Sequence, residues 1–368
     1  MVSELTKATT TLGAEERALC ARLSRGIGSL DSRVLAAARQ HRVHLLLAAS
    51  LTPAERETAD GAALSRDLTV ASALHAWRED DTRELLDSLA ASGISALLLK
   101  GTGVAYTVYP EPHLRPRLDV DLLIRREALE PTEERLVAHG WLRPPERDAE
   151  LSEPQRHSVK SGPGGMLYHV DLHWKTANPR VFADALTFNE LEHRAIQIPA
   201  LGRTARTLGL VDALLVACVH RVAHHGDALD LLWLWDIHLL LQRLSFAEKD
   251  RFVALAERTN MRAVCARGLQ LSGLLFGTGD AVHTADRLET SNVGDEASAR
   301  FVGGASAISV LATDLGTLPW RDRAQLLREH LFPSTEYMRA KYREWPDALL
   351  PVAYLHRIVR GAPRWFGR

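Results

Sequence analysis

The chain has little cysteine: three in 368 residues, Cys20, Cys218 and Cys265, with no CxxC spacing. That excludes a disulfide framework or a zinc knuckle and fits a reducing compartment. No apolar run reaches the roughly 18 residues of a membrane span, so no membrane partner is expected. Residues 1–30 are charged throughout and lack an apolar core, so they do not read as a signal peptide. The expected location is therefore cytoplasmic. Neither sign of charge dominates: 45 Lys and Arg face 46 Asp and Glu, for a net charge of −1. Nothing global then suggests a long polyanion, and a nucleic-acid template is not expected. No internal repeat is visible. What remains, 46% hydrophobic and 25% charged residues, is ordinary globular composition with enough length for two or three lobes.

Residues 15–77 are patterned as helix, and Pro53 marks a helix start. Residues 82–92 continue helically with Leu85, Leu86 and Leu89 on one side, ending near Gly93. The period then changes. Residues 94–101 form a short apolar run closed by Gly101, consistent with a buried strand. Residues 102–109 fit two helical turns stopped by Pro110. Residues 128–139 read as an amphipathic helix ended by Gly140. After a polar, proline-containing stretch, Gly164 and Gly165 introduce a third candidate strand at 166–174. From Leu210 the chain is helical again, over 211–224 and 231–244. Residues 277–302 are polar, weakly patterned and expected to form a loop or insert.

The most informative stretch is Leu118-Asp119-Val120-Asp121-Leu122-Leu123-Ile124. Residues i and i+2 of a strand share a face, with Cα atoms roughly 6.5–7 Å apart. Two carboxylates inside an apolar strand need a reason to be there, because an unpaired buried charge is costly. Shared divalent cations supply that reason, since hard cations take oxygen ligands. Upstream, Lys100-Gly101-Thr102 ends a strand and opens a helix, where backbone N–H groups favour a phosphate. Downstream, Asp171 offers a third acid in apolar surroundings. Lys100, Arg115 and Arg117 are candidates to neutralise phosphate charge.

A glycine at a strand-to-helix turn, an Asp-x-Asp strand and a later strand with one more acid resemble the DNA polymerase β-type nucleotidyltransferase superfamily. More narrowly, Lys100-Gly101, Tyr109-Pro110, residues 117–124 and residues 170–174 resemble a large bacterial family of uncharacterised nucleotidyltransferases. His220, His224-His225, residues 232–236 and residues 331–334 carry the same likeness, which thus runs from about residue 30 to the end. The superfamily's usual Gly-Ser is Gly101-Thr102 here, a mild departure because threonine keeps the hydroxyl.

The resemblance implies an α/β (α+β) fold with a mixed-sheet nucleotidyltransferase core. Residues 88–205 would be the catalytic domain, between helical regions at 1–87 and 206–368. It also implies Mg²⁺- or Mn²⁺-dependent transfer of a nucleoside monophosphate from an NTP to a hydroxyl of a small molecule or peptide. That class includes antibiotic-adenylylating enzymes and protein AMP-transferases. Asp119 and Asp121 would bridge two metals about 3.5–4 Å apart, and Asp171 would complete the one beside the acceptor. Gly101 and Thr102, with Lys100, Arg115 and Arg117, would serve the nucleotide.

Blander readings stand beside these. A lone Asp-x-Asp also occurs on edge strands with solvated acids, and His169, Asp171 and His173 alternate as the polar face of a half-buried strand would. His220 and His224 share a helix face, but without a Glu in the HExxH arrangement they read as a hydrogen-bonded face against the catalytic lobe. Trp233 and Trp235 read as packing, and the basic C-terminal helices as a solvated face. Two rival functions remain: a nucleotide-sugar glycosyltransferase using the Asp-x-Asp pair, and a non-catalytic nucleotide- or partner-binding protein. Base, acceptor and oligomeric state are not legible.

Overall fold

The computed structural model describes residues 12–144, 151, 154–289 and 293–366, with side chains as far as residue 360. Residues 1–11 of the charged N-terminal stretch, and residues 145–150 and 152–153 of the polar stretch after Gly140, lie outside the described residues.

Four short helices come first: α1 (Ala14–Arg25), α2 (Ser32–Gln40), α3 (His44–Ala49) and α4 (Pro53–Arg56). Thr52 and Glu55 form a reciprocal capping box around Pro53, which satisfies the first free N–H groups of α4. A single 33-residue helix, α5 (Ala59–Ala91), follows, roughly 50 Å long at the α-helical rise. The two helical segments at 15–77 and 82–92 therefore meet without a break. Next come β1 (Ala96–Leu98), α6 (Lys100–Val108), β2 (Asp119–Ile124), α7 (Leu129–Ala138), β3 (Gln155–Ser161), β4 (Leu167–His173), α8 (Arg180–Ala183), α9 (Phe188–Arg194), β5 (Ile196–Gln197) and β6 (Arg206–Thr207). The remainder is helical: α10 (Leu210–His225), α11 (Leu231–Arg243), α12 (Phe246–Arg258), α13 (Arg262–Phe276), α14 (Gly279–Leu288), α15 (Ala307–Thr317), α16 (Trp320–Leu331), α17 (Thr335–Lys341) and α18 (Leu350–Phe366).

The six strands form one mixed sheet in the order β3-β4-β2-β1-β6-β5. β1 lies antiparallel to β2, while β2 and β4 are parallel, with Asp121 opposite Asp171. Strand alternation sorts the side chains between two cores. Val120, Leu122, Ile124, Tyr168, Val170 and Leu172 pack with Leu85, Leu86 and Leu89 of α5 on one face. Leu97 and Leu123 join a second core on the other face, built from α1 to α3, α6 and α10 to α14. Asp119, Asp121 and Asp171 therefore face the second, helical side.

Two expectations need correction. Residues 277–302 are not a loop throughout: α14 buries Ala281, Thr284, Ala285 and Leu288 at helical spacing. Its inward face is mostly small or polar, so it lacks the large apolar residues that give a strong period. β3 lies within the polar, proline-containing stretch before Gly164, where the sequence pattern predicts no strand. As an edge strand it buries only Ser158, so it never acquired apolar alternation. All three cysteines are buried and free, and among the described residues no helix is long and apolar enough to cross a membrane.

Candidate active site

Asp119 and Asp121 open β2 at the floor of a cleft of about 930 Å³, with Asp171 of β4 beside them. A cleft of this size suits a nucleotide-sized ligand. The helical walls come from α2, α3, α5, the 110–117 loop, α10 and α11.

Asp121 is the anchored member. Its Oδ1 accepts from Lys100 Nζ at 2.9 Å and lies 2.7 Å from His173 Nε2. Burial alone would oppose its charge, but Lys100 and His173 outweigh burial and hold the carboxyl well below the usual range. Burial, followed by Lys100, lowers the His173 pKa. A neutral His173 must then present an Nε2–H to Asp121, because a carboxylate only accepts. Lys100 reaches this position from a φ of +44°, a left-handed conformation sparsely populated by residues other than glycine.

Asp119 behaves differently. Burial first, and then Asp121 and Asp171, push its pKa up to about 6. Asp171 accepts from His157 Nδ1 at 2.7 Å, and His157 in turn meets His169 at 3.0 Å. Asp121, Asp171 and His173 each bring one ligand atom within 4.8 Å of the others. Two carboxylate oxygens and an imidazole nitrogen can hold a divalent cation. Asp119 shares their face but is not part of that group of ligand atoms.

The Lys100-Gly101-Thr102 turn is shaped by packing. A Cβ on Gly101 would come within 2.4 Å of Arg115 Nη1, and one on Gly103 within 2.2 Å of Thr207 Oγ1. Gly101 lines the cleft, but Thr102 does not: its hydroxyl is buried with no partner among the described residues. Arg115 is buried against Asp236 through Nε and Nη2, and Tyr109 donates its hydroxyl to the same carboxylate. Its charge is thus already answered. Arg117 lines the cleft without a carboxylate partner among the described residues.

The opposite wall is rich in imidazole. His220 Nε2 lies 3.1 Å from His225 Nε2, and His225 stacks on Trp233 at 3.7 Å between centroids. The Arg42 guanidinium also sits over Trp233, at 4.8 Å. Burial, then nearby cations, lowers the pKa of His224 to about 3 and that of His225 to about 4. His220 shifts the same way. Trp235 instead packs against His238 and Phe276.

Residues 30–277 match the family described as uncharacterised nucleotidyltransferase. The chain belongs to that family. No curated protein matches the chain. The family match spans β2, β4, the turn at Lys100 and the histidines of α10. It ends before residues 331–334, so the likeness noted there lies beyond it.

Three residues of this nucleotidyltransferase-family site escaped the sequence. His173 is visible in the 169/171/173 alternation, where it reads as part of a strand's polar face rather than as a ligand. Asp236 gave no local sign that it answers Arg115, 121 residues away. Arg78 carries no local motif that would single it out, yet it lines the cleft.

Proposed function

We propose that this family member is a divalent-metal-dependent nucleotidyltransferase that moves an NMP group from an NTP to a hydroxyl of a small molecule or peptide. The observation that carries the reading is the parallel register of Asp121 with Asp171, with Asp119 on the same face, at the floor of a nucleotide-sized cleft. Asp121, Asp171 and His173 are the residues to hold a cation, and the mixed donor set admits Mn²⁺ as well as Mg²⁺. A bound metal would stabilise the charge developing on the attacking and leaving oxygens.

The chain's own groups do the rest. Lys100 holds the Asp121 carboxylate charged in the absence of the ion and, once displaced, supplies a cation beside the phosphates. Asp171 faces the acceptor side and can take the hydroxyl proton, while His157 orients its carboxylate. Asp119, poised near pH 6, joins the nucleotide-binding face as it ionises. Three buried free thiols fit work in a reducing cytoplasm.

The test is calorimetric titration of ATP, CTP, GTP, UTP and UDP-glucose with Mg²⁺ or Mn²⁺, on wild type and Asp121→Asn. Metal-dependent NTP binding that the substitution removes, with pyrophosphate released on adding an acceptor, is the expected result. Binding of UDP-glucose alone would transfer the site to glycosyl chemistry.

A further inference from the structure

Six lysine and arginine side chains line the cleft, and four have carboxylate partners: Arg39 with Asp67, Arg42 with Asp230, Lys100 with Asp121 and Arg115 with Asp236. Arg78 and Arg117 are the exceptions among the described residues, and they are built as a pair. Arg78 Nη1 donates to the Arg117 carbonyl at 2.7 Å, fixing the helix α5 side of the cleft to the segment that leads into β2. Arg117 Nη1 donates to the Pro112 carbonyl at 3.0 Å, and its Nη2 to His75 Nδ1 at 3.0 Å. Burial, then Arg117, holds the His75 pKa near 4, so the ring is neutral and accepts that bond. Its other nitrogen, 3.2 Å from Glu79, then carries the proton.

Aromatic faces complete the mounting. The Arg78 guanidinium lies 5.3 Å from the Tyr168 ring centroid, and that of Arg117 lies 5.6 Å from Tyr106. Rings and carbonyls orient a guanidinium without cancelling its charge. The Arg78 Nε is buried with no partner among the described residues, and a buried donor left unmade is costly unless something fills it. Two half-buried cations held side by side without counter-charge repel each other, and a polyanion would relieve that. Arg117 stands two residues before Asp119, so this positive patch adjoins the carboxylate face.

We infer that Arg78 and Arg117 form the seat for the polyphosphate end of the nucleotide, the β- and γ-phosphates that leave as pyrophosphate. The inference rests on the nucleotidyl-transfer reading of the cleft and assigns that cleft a direction. The α-phosphate lies toward Asp121 and Asp171, and the leaving group toward α5. Planar guanidinium forks suit paired phosphate oxygens, and the contact should survive loss of the metal ligand.

Inorganic pyrophosphate is the probe, titrated calorimetrically into wild type, Arg78→Gln, Arg117→Gln, Arg78→Lys, Arg39→Gln and Asp121→Asn, with thermal unfolding of each to verify the fold. Arg78→Gln and Arg117→Gln should each weaken binding by roughly ten- to a hundredfold. Arg78→Lys, which keeps the charge but loses the fork, should fall between. Arg39→Gln should bind like wild type, and Asp121→Asn without added metal, which frees Lys100 from its carboxylate, should bind at least as tightly. If folded Arg78→Gln, or Arg78→Lys where the glutamine variant does not fold, binds as wild type does, the seat is wrong. Pyrophosphate binding that depends on both arginines, in a protein that consumes no NTP, would keep the seat and remove the transfer reaction instead.

Discussion

The two walls of the cleft meet the same physical force and answer it differently. On the sheet wall, burial pushes Asp119 up to about 6, while the neighbouring Asp121 is kept ionised by Lys100 and His173. On the helical wall, burial drives His224 to about 3 and His225 to about 4, with no carboxylate close enough to reverse it. Desolvation disfavours charge of either sign, so the contrast comes from the partners. The sheet wall gathers carboxylates with a histidine; the histidines of the helical wall offer neutral donors and acceptors.

The largest expected effect tests that division directly. Asp121→Asn should lower NMP transfer on the order of 10⁴-fold, because each tenfold costs about 1.4 kcal/mol of transition-state stabilisation and a metal ligand supplies several kcal/mol. His224→Ala should cost about tenfold or less, the loss of one neutral contact. Rates of pyrophosphate release decide the matter, and equal losses from the two substitutions would erase the distinction.

Next in size is the joint between the walls. Arg115 and Asp236 are both buried and doubly hydrogen-bonded. Removing one partner of such a pair strands a charge, so Asp236→Ala should destabilise the fold by about 3–5 kcal/mol. Arg115→Met combined with Asp236→Leu should recover most of that loss. Urea unfolding followed by fluorescence and circular dichroism measures both.

Legibility in the sequence divides along the same line. The strand wall was readable because alternation is local: Asp119, Asp121 and the four apolar residues between and after them declare a face within a few positions. The third acid, Asp171, is legible between Val170 and Leu172 in the same local way. The helical wall was not readable, because its meaning is set by distant partners. Arg115 has the chemistry of a phosphate ligand, and only the fold shows Asp236 already in front of it. Gly101 reads as a phosphate turn, yet its missing side chain also makes room for that same arginine. The histidines of α10 announced a shared face but not that it borders the cleft. α14 and β3 were missed because their buried positions hold small or polar residues, which leave no hydrophobic period.

A smaller effect sharpens the sheet side. With Asp119 titrating near 6 on the same face as Asp121 and Asp171, protonation below that pH removes a neighbouring negative charge that favours the cation. The apparent Mg²⁺ or Mn²⁺ affinity should therefore fall as the pH drops through 6, by less than the roughly tenfold per pH unit of a direct ligand. Binding near pH 6 should also release a proton, detectable as a buffer-dependent calorimetric enthalpy. Asp119→Asn should remove both signatures.

The smallest effect sets the walls against each other in the metal-free protein. Asp119 has a folded pKa above its unfolded value, so between about 6 and 4 the folded state binds more protons. Its contribution to stability rises as the pH falls through that window. His224 and His225 have folded pKa values below their unfolded ones. There the unfolded state binds more protons, and stability is lost as the pH falls from about 6.5 toward 4. Each proton of difference is worth about 1.4 kcal/mol per pH unit at most, and the part-exposed His225 contributes less than the more buried His224. The two walls therefore partly cancel between pH 6 and 4. Asp119→Asn should steepen the acid loss of stability, and His224→Asn should flatten it. If urea midpoints from pH 4 to 7 show both variants moving the slope in the same direction, the walls do not titrate in opposition.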